Sequence, residues 1–444
     1  GLTYSWFSSI ITGNDTAQSN VVETGTLSIV YTNGQEIRGE SIEPGWSETK
    51  SFTVENTGTV EARYNINWET LTNTFVNKQD LLLTLTSDNN GGSLEEEQIS
   101  RSGNHINILS DITIDPGETQ TYTMTVTYKN ENYDQSSDMG KELKGKIEVR
   151  DANEEILATG PASDVIISKY KENNEEGLIR LNQPATIQTP SQTEYRYSGS
   201  NDVVKNYVNF NNETWRIIGV FPTDDGTGNI ENRLKIMREE SIGDYSWDTS
   251  ASTINSGWGI NQWGSSGSYE GADLMRLLNP GYESESVNNS LYWNRGSGTC
   301  YNRPNNATTA CDFSSTGLTE NAKEMIEDAV WYTSASNPGI TASESYAEER
   351  ASTTTQFTDE GITVTRTTNW TGKVGLMYPS DYGYASSGCR NGEQTLFYYD
   401  NETCTSTNWL YNGNRQWEMS PAFGNRSLVR AVSNMGYVGY YYPG

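Results

Sequence analysis

The sequence predicts a mainly β protein. A β-sandwich of jelly-roll type comes first, followed by a mixed, loop-rich α+β domain. Three observations predict this. Apolar and polar residues alternate with period two through the first 150 positions, Gly/Pro/Asn turn signals punctuate that alternation, and nine of the twelve tryptophans fall after residue 200 amid long Gly-, Ser- and Asn-rich stretches. Phe52 and Val54 alternate with Ser51, Thr53 and Glu55, and Tyr64, Ile66 and Trp68 alternate with Arg63, Asn65 and Asn67. Leu81, Leu83 and Leu85 share a face, and Tyr122, Met124, Val126 and Tyr128 alternate with the threonines at 121, 123, 125 and 127. This is the pattern of half-buried antiparallel strands. Glu43-Pro44-Gly45, Asn56-Thr57-Gly58, Asn90-Gly91-Gly92 and Asp115-Pro116-Gly117 separate them. No helix of ten residues is predicted before residue 176, and the charged run Lys169–Gly177 reads as a linker.

After residue 200 the pattern is mixed. Strands are predicted at Tyr207–Phe210, Trp215–Val220 and Leu234–Met237. Ala272–Leu278 and Thr319–Trp331 have helical spacing, the latter with Thr319 placed as N-cap. The domain reading is therefore residues 1–20 as a leading strand and crossing, 21–172 as the sandwich, and 173–444 as the loop-rich domain.

Charge and composition exclude several classes. A net charge of -28 argues against nucleic-acid binding and against docking on an anionic membrane, both of which need clustered Lys and Arg. No apolar run reaches the length of a membrane-spanning helix, and the opening Gly-Leu-Thr-Tyr reads as a processed end or a boundary rather than a signal peptide. One histidine, His105, leaves no His-rich metal site and makes a Ser-His-Asp triad improbable. Cys300, Cys311, Cys389 and Cys404 lack any C-x-x-C spacing, so a zinc site is not indicated. Four cysteines allow three disulfide connectivities, and loop closure favours near neighbours, hence Cys300–Cys311 and Cys389–Cys404 in an oxidising compartment.

Residues 1–12 are the least ordinary segment. Leu2, Tyr4 and Trp6 point to one face of an extended strand with Ile10 in phase, and Phe7 and Ile11 point to the other. Such a strand either forms an edge of its own sheet or leaves to complete a neighbour's, with Gly13 and Asn14 as the crossing. Head-to-tail donation does not close on itself and yields an open filament.

Trp6-Phe7-Ser8, Glu23–Ile29, Thr49–Thr59, Ala62-Arg63-Tyr64, Asp115–Thr119 and Gly145-Lys146-Ile147, taken in order, resemble the TasA/camelysin-type fibre proteins of Gram-positive bacteria. The resemblance covers about residues 1–150. It implies a secreted jelly-roll subunit that polymerises with itself, head to tail, by donor-strand complementation through Leu2, Tyr4, Trp6, Phe7, Ile10 and Ile11, in a cell-surface filament or biofilm matrix. Camelysins were described as metalloproteases, but a chain with one histidine and no H-E-x-x-H motif does not support that activity. In the second half, Trp215–Val220, Leu277-Leu278-Asn279, Gly375–Tyr384 and Trp417-Glu418-Met419-Ser420-Pro421 resemble secreted Gram-positive domains with a C-type-lectin-like or formylglycine-enzyme-like core. This implies a non-catalytic display module for adhesion or matrix contact.

Four further features call for a site-level reading. Trp258, Trp263, Trp293, Trp370, Trp409 and Trp417, with Tyr437, Tyr440, Tyr441 and Tyr442, could form a sugar-stacking platform for glycans on a host or bacterial surface, or they could be core. Asp224 and Asp225 in an acidic turn, with Asp244 and Asp248 beyond, are the calcium candidates, although the EF-hand spacing is absent. No other cofactor is expected. Fifty-eight acidic residues hide any glycosidase pair, which only separation in space identifies. Lys50 and Lys146 lie on predicted strands, where an intramolecular Lys–Asn amide would tie a β domain together; two exposed lysines are the ordinary alternative.

Overall fold

In a computed structural model the described residues are 8–13, 18–22, 25–35, 37–39, 42–152, 161–173, 176–249, 260–265, 269–303, 307–337, 339–359, 361–392 and 394–444, some by backbone alone. The chain is mainly β, 41 % strand against 13 % helix, as the alternation predicts. It divides into two units. The first holds residues up to Glu175 with the short stretch Asn229–Arg233, and the second holds the rest.

The first unit contains β1 (Ser8–Gly13), β2 (Gln18–Val22), β3 (Gly25–Thr32), β4 (Ile37–Gly39), β5 (Ser47–Asn56), β6 (Ala62–Asn73), β7 (Leu81–Ser87), β8 (Leu94–Gln98), β9 (Gly103–Ile114), β10 (Thr119–Tyr128), β11 (Glu142–Asp151) and α1 (Ala162–Asn173). They form a five-stranded sheet, β4-β1-β11-β6-β9, and a six-stranded sheet, β2-β3-β5-β10-β7-β8. The period-two pattern becomes sidedness. Tyr122, Met124, Val126 and Tyr128 are buried along β10, while Thr119 and Thr121 are exposed and Thr123, Thr125 and Thr127 are half-buried. Side chains of both sheets enter one core, with Tyr64, Ile66, Trp68, Leu143 and Ile147 from the first and Phe52, Val54, Leu83, Leu85 and Met124 from the second. Buried tyrosines keep their hydroxyls satisfied. Those of Tyr64 and Tyr122 lie 2.6 Å apart, and Tyr122 donates to the Gly91 carbonyl.

The predicted linker is instead mostly helix, since α1 runs to Asn173 and packs on β9. Its buried face explains why hydrophobic periodicity does not find it. Ser163, Asp164 and Ser168 are buried along with Ile166, and the contacts are polar. Ser168 Oγ accepts from the Asn107 amide at 3.3 Å, and Asp164 accepts from the Arg101 amide at 3.1 Å.

The second unit is built of β12 (Leu178–Gln183), β13 (Gln192–Tyr197), β14 (Tyr207–Phe210), β15 (Glu213–Asp224) and, from Leu234 on, β16 (Ile230–Arg238), then α2 (Asp273–Leu278), β17 (Ser297–Arg303), β18 (Ala307–Asp312), α3 (Glu320–Glu324), β19 (Ala329–Tyr332), α4 (Ala342–Glu349), β20 (Thr354–Asp359), β21 (Ile362–Thr367), β22 (Asn369–Gly372), α5 (Pro379–Ala385), α6 (Glu402–Ser406), β23 (Gln416–Pro421), β24 (Val429–Val432) and β25 (Val438–Tyr441). Its main sheet runs β12-β13-β15-β14 with β16 beside β15, and β23-β24-β25 forms a second antiparallel sheet. The helix predicted to reach Trp331 stops at Glu324. Thr319 caps it, accepting from the Ala322 amide at 3.2 Å, but Ala329–Tyr332 leave as β19 and pair with β22. Val330, Trp331 and Tyr332 are strand formers, and a partner strand outweighs the helical spacing. Cys300–Cys311 and Cys389–Cys404 are both closed, as the spacing predicts.

Candidate functional site

The first candidate is the place β1 occupies. β1 lies between two strands of its own chain, parallel to β11 from Ser8↔Glu142 to Gly13↔Ile147 and antiparallel to β4 over Ser9–Ile11. Ile10 and Ile11, read as anchors in a neighbouring subunit, therefore complete their own sheet in this single chain. Leu2, Tyr4, Trp6 and Phe7 lie outside the described residues. β4 has only three residues, so β11 would present a long bare edge without β1. Gly145, opposite Ile11, has Trp68 stacked against it. A Cβ there would sit 2.4 Å from the indole ring, so the sheet needs glycine at this position. The sole histidine lies on β9, two strands beyond β11 in the same sheet: His105 Nδ1 is 2.8 Å from the buried carboxylate of Glu148 on β11, which also accepts from Arg150. Lys146 pairs with Glu69 at 2.8 Å.

The tryptophans do not form the expected platform. Trp263, Trp293 and Trp409 are buried, and Trp370 and Trp417 are half-buried against the same core; Trp258 lies outside the described residues. Trp263 packs on Trp247 and, edge-on, on Trp370. Trp409 donates to the Tyr197 carbonyl at 2.9 Å and Trp417 to the Tyr245 carbonyl at 3.0 Å. A large loop-rich unit buries its aromatics because loops supply few aliphatic side chains for a core. The exposed aromatic group is elsewhere. Phe397 and Tyr398 are 45 % and 59 % exposed. The Phe397 ring stands edge-on to Tyr398 and 5.7 Å from Tyr437. Tyr441 donates to the Tyr437 hydroxyl at 3.3 Å, and Arg415 lies over the Tyr441 ring at 4.2 Å.

The acidic turn is closed on itself. Asp224 accepts from the Gly226 and Gly228 amides, and Asp225 from the Thr227 amide and hydroxyl. Among the described residues no group of three or more His, Cys, Asp or Glu side chains could hold a metal ion, so the calcium reading of Asp224 and Asp225 has no coordination shell to rest on.

The densest charge in the second unit is buried. Arg196 donates to Glu194 at 2.9 Å and to Asp381 at 2.7 Å, with its guanidinium between the rings of Phe221 and Tyr384. Lys235 reaches the other Asp381 oxygen at 2.5 Å and lies 4.2 Å from the Tyr378 ring centre. Glu349 accepts from Arg350 at 2.9 Å and from the Ser380 amide and hydroxyl. Burial works to raise the Asp381 carboxyl, but Lys235 and Arg196 more than offset it and hold it at about 2. Glu418 has the opposite fate. Among the described residues both its oxygens are buried without a hydrogen-bond partner, and burial pushes the carboxyl up to about 8 against the pull of Arg430. In the sequence Asp381 and Glu418 stand out only as parts of motifs and Lys235 only as part of a strand, and no motif marks Arg196, Glu349 or Arg350. The available signal is a charge embedded in aromatic neighbours, as in Tyr195-Arg196-Tyr197 and Trp417-Glu418-Met419.

No protein-family model matches the chain, and no curated protein matches it. Among solved structures it is similar to a chain from a structure titled "AvmM Catalyzes Macrocyclization in Alchivemycin A Biosynthesis", at 11 % identity over 32 % of this chain and 98 % of that one, with a TM-score of 0.14. A likeness that weak carries no argument about fold or function.

Proposed function

We propose that the protein is a non-enzymatic structural subunit of an extracellular bacterial filament. In this reading the first unit is a jelly roll whose leading strand is exchanged between copies, and the second is a C-type-lectin-like module displayed for adhesion or matrix contact. The observation that carries the proposal is the position of β1. It is the first strand among the described residues, it is flanked on both sides, and it shields the edge of β11. A strand that completes its own sheet in one copy can complete the same slot in the next with the same backbone hydrogen bonds, and repeated exchange grows head to tail. The resemblance of residues 1–150 to fibre proteins supports the same reading, and two closed disulfides fit an oxidising exterior. The test is negative-stain microscopy of the purified chain beside an Ile10→Asp, Ile11→Asp variant. Filaments from the wild type and none from the variant are expected. No filaments from either, or equal filaments from both, overturn the proposal.

The exposed Phe397 and Tyr398, beside the half-buried Tyr437 and Tyr441, favour a second reading, a monomeric secreted adhesin that binds carbohydrate. Aromatic faces stack on sugar rings, and Arg415 stands ready to donate to hydroxyls. Binding to a glycan array should fall at least about tenfold in a Phe397→Ala, Tyr398→Ala variant, the equivalent of about 1.4 kcal/mol. Binding unchanged by the substitutions removes this patch from consideration.

A further inference from the structure

We propose that Lys50 and Asn33 of the first unit form an intramolecular isopeptide bond. Lys50 lies on β5 and Asn33 directly follows β3, the strand paired with β5. Lys50 is 2 % exposed, and its Nζ stands 2.5 Å from Asn33 Oδ1. A carboxamide C=O is about 1.23 Å long, so Nζ is within about 3.7 Å of the Asn33 Cγ carbon, close to the separation at which bound groups react. The same Oδ1 accepts a second hydrogen bond, from the buried Tyr31 hydroxyl at 3.0 Å. The Tyr31 hydroxyl polarises the amide, and together with the proton that Lys50 hands to the same oxygen it offsets the charge that would otherwise develop there as nitrogen adds to carbon. The chain is clamped beside this pair. A Cβ on Gly34 would fall 1.6 Å from the Ser51 carbonyl oxygen, so the backbones next to Asn33 and Lys50 are in direct contact. Phe52, on the same face of β5 as Lys50, packs on Tyr31 and Tyr122 and keeps the surroundings apolar.

The reaction balances within these groups. The Lys50 ammonium passes a proton to Oδ1, and the freed amine adds to Cγ to form the new C–N bond. A second proton moves from Nζ to Nδ2, the Cγ–Nδ2 bond breaks, and ammonia leaves. Ammonia then takes the proton from the oxygen, so a lysine ammonium and a carboxamide become a secondary amide and an ammonium ion. No oxidant or reductant is needed. The bond would staple β3 to β5 covalently, in a unit whose described residues contain no disulfide.

Intact mass spectrometry of the full chain, with its disulfides reduced, is the test. The expected mass is lower than the sequence mass by one ammonia, and a tryptic digest should yield a branched peptide joining Asn33 to Lys50 with no cleavage after Lys50. The deficit should vanish in Lys50→Met. In Asn33→Ala, which has no side-chain carbonyl carbon to attack, the branched peptide should be absent. A wild-type chain at its full sequence mass, cut by trypsin after Lys50, overturns the proposal whether or not either variant folds.

Discussion

Replacing Arg196 with Met should destabilise the second unit by about 3–5 kcal/mol, the usual cost of removing one partner from a buried ion pair. Arg196 is fully buried and joins two carboxylates from distant parts of the chain, Glu194 on its own strand and Asp381 on α5. Without it, Glu194 keeps the side-chain amides of Gln183 and Gln192, and Asp381 keeps Lys235 as its ion-pair partner. The methionine fills part of the space between Phe221 and Tyr384 but leaves negative charge in a low-dielectric interior, where it is costly. Denaturant unfolding followed by tryptophan fluorescence reads this unit, because nine of the twelve tryptophans follow residue 200. A shift below about 1 kcal/mol would show that water reaches the network and that it behaves as a surface pair.

Substituting Glu418 with Gln should flatten the pH dependence of the same transition. The folded-state carboxyl titrates at about 8, against 4.5 for an ordinary glutamate. Between those values the folded unit holds a proton that the unfolded chain has released, so stability falls as pH rises through the window. Each pH unit costs up to about 1.4 kcal/mol, which makes the loss between pH 5 and pH 8 a few kcal/mol. Asp381 acts at the other end. Its carboxyl is held down at about 2, so the stability it contributes is present above its ordinary value and is lost as pH falls toward 2. The wild-type unit should therefore be most stable near pH 4–5, to the extent that these two groups dominate. Glu418→Gln should match it there and exceed it at pH 8. Equal slopes for wild type and variant above pH 5 would mean that Glu418 is ionised in the folded state.

What is legible in a sequence depends on where each residue's energy comes from. The strands of the first unit were legible because each buries one face, and a strand with one buried face writes its burial into every second residue, as Tyr122 to Tyr128 do. Helix α1 was not legible, because Ser163, Asp164 and Ser168 bury it by hydrogen bonding rather than by an apolar stripe. Thr319 announced a helix start correctly, yet only the presence of β22 decided that Val330 and Trp331 would leave as a strand.

By itself, the sequence determined the mainly β class, the turn positions and both disulfides, because alternation, turn chemistry and loop closure act over short stretches of chain. It could not decide which tryptophans are core and which face solvent, since Trp263 and Trp409 sit in the same Gly/Asn/Ser-rich context that an exposed platform would have. The tertiary structure alone decided that Arg196 meets Asp381 across 185 positions, that Lys50 turns inward onto Asn33, and that Glu418 is buried without a hydrogen-bond partner among the described residues. Each of these depends on the dielectric and the neighbours at a point in space. Burial of a charge is a property of everything packed around it, and no local pattern of residues encodes that.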